Sequence, residues 1–259
     1  MDSAFEKKER AKNEEIEIVH APTKDEPFVV VYKPSGLPSA PLCDGDASAL
    51  SRVASLFPES LNVIGKKKVE HGLVHRIDTG TRGLVVVATE QHFYDSLIDA
   101  QKNDLFKKWY RAGISFVGGC AEKLGGFPEC PFLENLKGAK NAKSLKENAP
   151  FDVSSFFRPF GPKGSQVRPV VEGGGRAMMK KSGDKIYTTT IESVSESEAV
   201  CSITAGYRHQ VRCHLAWCGI PVKDDFVYNP DFKAGCNDDS RSFDFCAFKI
   251  EFPGFSFEI

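Results

Sequence analysis

The chain has 259 residues, 41% hydrophobic and 27% charged, with a net charge of −1, enough for one large domain or two small ones around a real core. No apolar run approaches a membrane span, and the charged start Met1–Arg10 lacks the apolar segment of a signal peptide, so a cytoplasmic protein is expected. Eight scattered cysteines without a C-x-x-C pair read as reduced, mostly buried thiols, and argue against a zinc site.

In chain order, residues 1–24 read as a charged N-terminal arm, at most a frayed helix. One domain is expected over 25–259. Phe28–Val31 is a short apolar strand that runs into the turn-rich loop Lys33–Pro38. Ala47, Leu50, Val53, Ala54 and Phe57 share a helical face, and Pro58 stops that helix. A loop over Val69–Thr81 leads into Gly83–Ala88, whose continuous apolar run suits a strand buried on both faces. Gln91–Phe106 reads as a helix through Phe93, Leu97, Ile98 and Leu105, and Lys108–Val117 as a strand. Residues 118–182 are rich in Gly, Pro and Lys and keep no period, which marks a long irregular stretch. Lys185–Val194 and Ala199–Thr204 resemble adjacent strands, His209–Cys218 is a short helix closed by Gly219, and Phe243–Phe252 is a final strand. Strands in runs with few helices between them predict an α+β fold.

Charge is uneven. Lys137–Lys185 holds eleven Lys/Arg against four Asp/Glu, a local +7 that leaves −8 for the remainder. Such a segment can meet phosphates while the rest of the surface repels them, although a solvated loop has the same signature. Gly173-Gly174-Gly175 lacks the G-K-[ST] of a phosphate loop and reads as a turn.

The stretch His75-Arg76-Ile77-Asp78-Thr79-Gly80-Thr81-Arg82-Gly83-Leu84 feeds a charged loop into a buried strand and sets Asp78 on a rigid edge. It resembles the H-R-x-D-x-x-T-x-G-L signature of the RluA-type pseudouridine synthases. Three further blocks follow the same order: Lys33-Pro34-Ser35-Gly36-Leu37 resembles K-P-x-G, Lys108-Trp109-Tyr110-Arg111-Ala112 resembles K-x-Y-x-A, and Gly206–Leu215 resembles G-R-x-H-Q-I-R-x-H-L. Asp225 and Tyr228 stand at the family's later Asp and Tyr. Arg82, Tyr207 and Asp224 depart from the usual Ser, Arg and Gly. The order of four blocks carries the weight, since each alone is weak.

The resemblance implies a pseudouridine synthase fold, a catalytic domain around a mixed, mainly antiparallel sheet flanked by helices. It implies isomerisation of uridines in ribosomal or transfer RNA, with no metal and no cofactor. It assigns catalysis to Asp78, Tyr110 and Arg212. Asp78 must be ionised, and Arg212 would favour the carboxylate; Tyr110 would lie against the uracil. Arg76 would fill the space of a flipped base. Lys33, His75, Thr81, Arg208, His209 and Gln210 are the remaining RNA-contacting candidates. His75, His209 and His214 lack the pattern of a metal site and read as structural hydrogen-bonding groups. The N-terminal segment is too short for the accessory RNA-binding domain some members carry. A monomer with no obligatory protein partner is the default. Two rival readings are a catalytically silent RNA-binding protein of the same fold and a hydrolase or lyase acting on free nucleosides.

Overall fold

The computed structural model of the protein describes residues 15–43, 45–135, 142–173, 176–232 and 243–259. Its strands are β1 (Glu17–His20), β2 (Phe28–Lys33), β3 (Arg82–Ala88), β4 (Lys107–Gly113), β5 (Phe151–Phe160), β6 (Gln166–Val170), β7 (Tyr187–Val194), β8 (Glu198–Ile203), β9 (Phe245–Phe252) and β10 (Phe255–Glu258). Its helices are α1 (Ala49–Leu56), α2 (Gln91–Lys102), α3 (Cys120–Leu124), α4 (Pro131–Asn135), α5 (Ala142–Asn148), α6 (Arg176–Met179) and α7 (Gln210–Trp217). The chain divides into two compact units. One comprises the chain up to Phe106 with Cys246–Ile259, the other Lys107–Phe245.

In the first unit β2 and β3 pair antiparallel from Phe28↔Ala88 to Lys33↔Gly83. Their uninterrupted β-branched runs leave no polar face, and Val29, Val30, Val31, Val85, Val86 and Val87 are fully buried. β1 adds to β2, β9 runs parallel to β3, and β10 folds back on β9. Helix α1 starts at a capping box in which Ser48 and Ser51 satisfy each other's backbone amides. Helix α2 turns Tyr94, Leu97 and Ala100 inward. It ends earlier than its apolar pattern suggests, because Asp104 takes a left-handed conformation (φ 57°). Phe106 is thereby buried and Leu105 left exposed. Phe28, Val30, Leu84, Val86, Phe106, Ile250 and Phe252 form one apolar cluster, each side chain contributing about 1.5–3 kcal/mol on burial.

In the second unit the strand order is β4-β8-β7-β5-β6, every neighbour antiparallel. All eight residues of α7 are buried, so it shows little amphipathic pattern. Phe157, Val167, Cys213, Ala216 and Tyr228 share its core.

The mixed, mainly antiparallel strands with a few flanking helices give the α+β class expected. Two stretches differ from expectation. Within the proposed arm, Glu17–His20 is a strand, held by the edge of β2; residues 1–14 lie outside those described. The irregular 118–182 stretch contains α3 to α6 and the hairpin of β5 and β6. The inward side of β5 includes Ser155, which broke the apolar alternation; it is buried because its hydroxyl meets His214 Nε2 at 2.9 Å. Lys137, Lys140, Gly174 and Gly175 lie outside the described residues.

Candidate active site

In the first unit, the candidate carboxylate sits on a loop whose backbone is held on both sides. Before it, Ile77 donates its amide to Ser39 Oγ (3.1 Å) and accepts the same hydroxyl at its carbonyl (2.8 Å). After it, the Thr79 carbonyl accepts from the Gly36 amide (2.8 Å) and from Lys33 Nζ (3.2 Å), and the Gly80 carbonyl from Ser35 Oγ (2.8 Å). The Thr81 amide closes a turn onto the Asp78 carbonyl at 3.0 Å. The K-P-S-G-L-P-S loop therefore acts as a backbone clamp around Asp78, which remains half-buried.

Lys33 is fully buried, yet its ammonium also donates to the carbonyls of Pro34 (2.8 Å) and Leu37 (2.6 Å). Such a group is tolerated inside because several oxygens replace its water. These three contacts are all to backbone carbonyls. His75 Nε2 accepts the Val86 amide (3.3 Å), which ties the loop to β3. Thr81 is buried, and its hydroxyl has no hydrogen-bonding partner among the described residues. Arg76 pairs with the mostly buried Glu70 at 3.1 Å while its side chain stays 57% exposed.

The second unit carries the other candidates. Tyr110, on β4, is buried and stacks on Phe245 with ring centres 5.2 Å apart. Arg212, on α7, is gripped by Asp225: Nε–Oδ2 is 2.7 Å and Nη2–Oδ1 is 2.8 Å. Its guanidinium lies 4.5 Å from the Phe243 ring centre and 5.3 Å from that of Tyr228. Asp225 also accepts the amides of Val227 (2.9 Å) and Tyr228 (3.2 Å), so the residue that orients Arg212 is itself fixed. The sequence signalled Asp225 only through its place after the fourth block.

His209 begins α7 in a left-handed conformation, with Nδ1 3.1 Å from the Tyr228 hydroxyl. Burial raises the pKa of that phenol. Gln210 accepts the Tyr207 amide (2.9 Å) and donates to Thr188 O (2.9 Å), bracing the turn into the helix. Arg208 donates to the carbonyls of Gly164 and Gln166 in the turn between β5 and β6. His214 places both ring nitrogens 2.9 Å from hydroxyls, of Ser155 and Thr189, and burial lowers its pKa to about 3. It is a neutral structural group.

One residue of the basic segment is not available to a ligand. Arg168 is buried, donating to the carbonyls of Gly125, Val167 and Leu124 with its guanidinium 4.1 Å from the Phe160 ring centre. Among the described residues, no helix is long and apolar enough to cross a membrane.

The model of a family described as RNA pseudouridylate synthase matches residues 27–217. RNA pseudouridine synthase 2, chloroplastic, of Oryza sativa subsp. japonica is 27% identical over 160 residues, 62% of this chain and 30% of that protein. Ribosomal large subunit pseudouridine synthase D of Neisseria meningitidis serogroup B is 26% identical over 219 residues, 82% of this chain and 46% of that protein. The chain spans about a third of the length of the first curated relatives it matches, 30%, 36% and 31%. Among solved structures, Human RNA Pseudouridylate Synthase Domain Containing 4 superposes with a TM-score of 0.58 at 17% identity, over 99% of this chain and 92% of that one, a likeness of fold. With most of its length matched and its four sequence blocks inside or next to that match, the chain belongs to the RNA pseudouridylate synthase family.

Proposed function

We propose that the protein isomerises uridine to pseudouridine in ribosomal or transfer RNA, with Asp78 as the catalytic carboxylate. The bond between N1 and C1′ breaks, the uracil turns over, and C5 joins C1′. C5 loses its proton and N1 gains one, so the reaction is balanced without an oxidant or reductant. Asp78 acts either on C1′ or on the 2′ proton. Tyr110 offers an aromatic face to the base, and Arg212 a fixed positive charge.

The observation that carries the reading is the clamp on both sides of Asp78, within the region shared with the family. A carboxylate whose backbone cannot drift is what positioned catalysis needs. Arg76 suits a role in displacing the base, since Glu70 anchors it while its head reaches solvent. Cys120, Cys201 and Cys213 are buried free thiols. Burial pushes Cys120 up to about 12 and raises Cys201 and Cys213 as well. Such inert thiols suit a reducing compartment such as the cytoplasm.

The test is tritium release from RNA labelled at uridine C5. The intact protein is expected to release tritium, and Asp78→Asn to abolish release while still binding RNA. RNA binding without release by the intact protein would instead make it a silent RNA-binding member of the fold.

A further inference from the structure

Two tyrosines and three cations in the second unit share one face and are unused by the reaction proposed above. Tyr207 and Tyr187 have ring centres 5.1 Å apart and stand on a common floor, Phe157. Phe157 lies 5.0 Å from Tyr207 in a parallel stack and 6.0 Å from Tyr187, and is itself buried against His214. Both tyrosines are half-buried, and neither hydroxyl hydrogen-bonds to a described residue. Rings anchored from behind with open edges lose little freedom when a second flat group stacks on them.

Three cations are tied to this pair by contact or by chain position. Lys185 Nζ is 5.8 Å from the Tyr187 ring centre. Arg208 follows Tyr207 in the chain and is held on the β5–β6 turn by the carbonyls of Gly164 and Gln166. Lys163 projects from that same turn, exposed and in a left-handed conformation (φ 51°) that glycine adopts far more readily. Strain of this kind tends to persist where function uses it. None of the three cations has an ion pair with a carboxylate among the described residues, and the turn itself contains no acid.

We propose that this face binds unpaired RNA, one base stacking on Tyr207 beside the Tyr187 ring, which is tilted 55° to it, while Arg208, Lys163 and Lys185 contact flanking phosphates. The inference rests on the RNA substrate proposed above and extends it to a second contact surface. Unpaired RNA is the occupant because a base must leave its own stack to lie on an aromatic ring, whereas duplex RNA presents only backbone and groove. The basic turn, which holds no carboxylate, suits a polyanion better than a protein surface.

The test uses the full chain and two fluorescein-labelled RNAs, a hairpin with a uridine-rich loop and a blunt duplex of equal length. Affinity is read by fluorescence anisotropy across a salt series. Tyr207→Leu is expected to weaken the hairpin by roughly 5- to 100-fold and to spare the duplex, and Tyr207→Trp to bind like the natural protein. The double variant Lys163→Gln with Lys185→Gln is expected to reduce the slope of log K against log salt by about 1.4. Thermal melts of each variant separate lost binding from lost folding. Equal losses on hairpin and duplex, a Trp variant as weak as Leu, an unchanged slope, or no RNA binding by the natural protein would each overturn the inference. These readouts concern binding alone. Absence of tritium release with intact hairpin binding would remove the isomerase reading and leave this one standing.

Discussion

Asp225 and Arg212 form a buried, two-point ion pair, with side chains 0% and 4% exposed and hydrogen bonds of 2.7 and 2.8 Å. Removing one partner of such a pair leaves an uncompensated charge in a medium that cannot solvate it. Asp225→Asn keeps the shape but not the charge. It is expected to lower stability by about 3–5 kcal/mol in denaturant unfolding. Pairing it with Arg212→Met should recover much of the loss, and no recovery would mean that the ion pair is not the origin of the effect.

Lys33→Met is expected to cost roughly 2–3 kcal/mol, since the carbonyls of Pro34, Leu37 and Thr79 lose a shared donor in a buried site. The loosening should reach the loop after Asp78. Faster hydrogen exchange at the Gly36 and Thr81 amides, which close onto Thr79 and Asp78, is the local signature. Unchanged exchange at both would show that the lysine does not stiffen this loop.

Gly83 sits at φ 126°, and a Cβ there would meet the backbone oxygen of Ala247 at 2.3 Å and its nitrogen at 2.6 Å. These are the atoms through which β3 approaches β9. Gly83→Ala is therefore expected to destabilise by about 3 kcal/mol or more, because strand separation adds to backbone strain. A midpoint shift worth less than about 1 kcal/mol would contradict this close approach.

His214 gives a pH dependence of defined sign. Burial holds its pKa at about 3 in the folded protein, against an ordinary 6.5. Below 6.5 the unfolded chain binds more protons than the folded one, so stability falls as pH drops from 6.5 towards 3. The loss from this residue amounts to at most about 5 kcal/mol. Unfolding curves across that window should flatten in His214→Asn; a parallel dependence in both proteins would assign the effect to other groups.

The strands β2 and β3 were legible because Phe28–Val31 and Leu84–Ala88 are continuous apolar runs, as burial on both faces demands. The loop that bears Asp78 was legible from its blocks and turn residues. Helix α7 was legible from its boundary signals, although its full burial was not. By contrast β1 was hidden in a charged arm, and β5 behind the inward Ser155 and its partner His214, 59 residues away. The basic segment misled at Arg168, a side chain that satisfies helix-end carbonyls rather than facing solvent.

Local patterns alone therefore determined the buried strands, the identity of the candidate carboxylate and the family the chain joins. Those properties depend on neighbours within a few residues or on an ordered set of short blocks. Only tertiary structure decided that Lys33 and Ser39 brace the loop around Asp78, that Asp225 holds Arg212, and that Arg168 is interior. The reason is physical: apolar burial leaves a period in the chain, whereas a buried polar group is satisfied by whichever donor or acceptor folding brings to it, and that partner has no fixed distance in sequence.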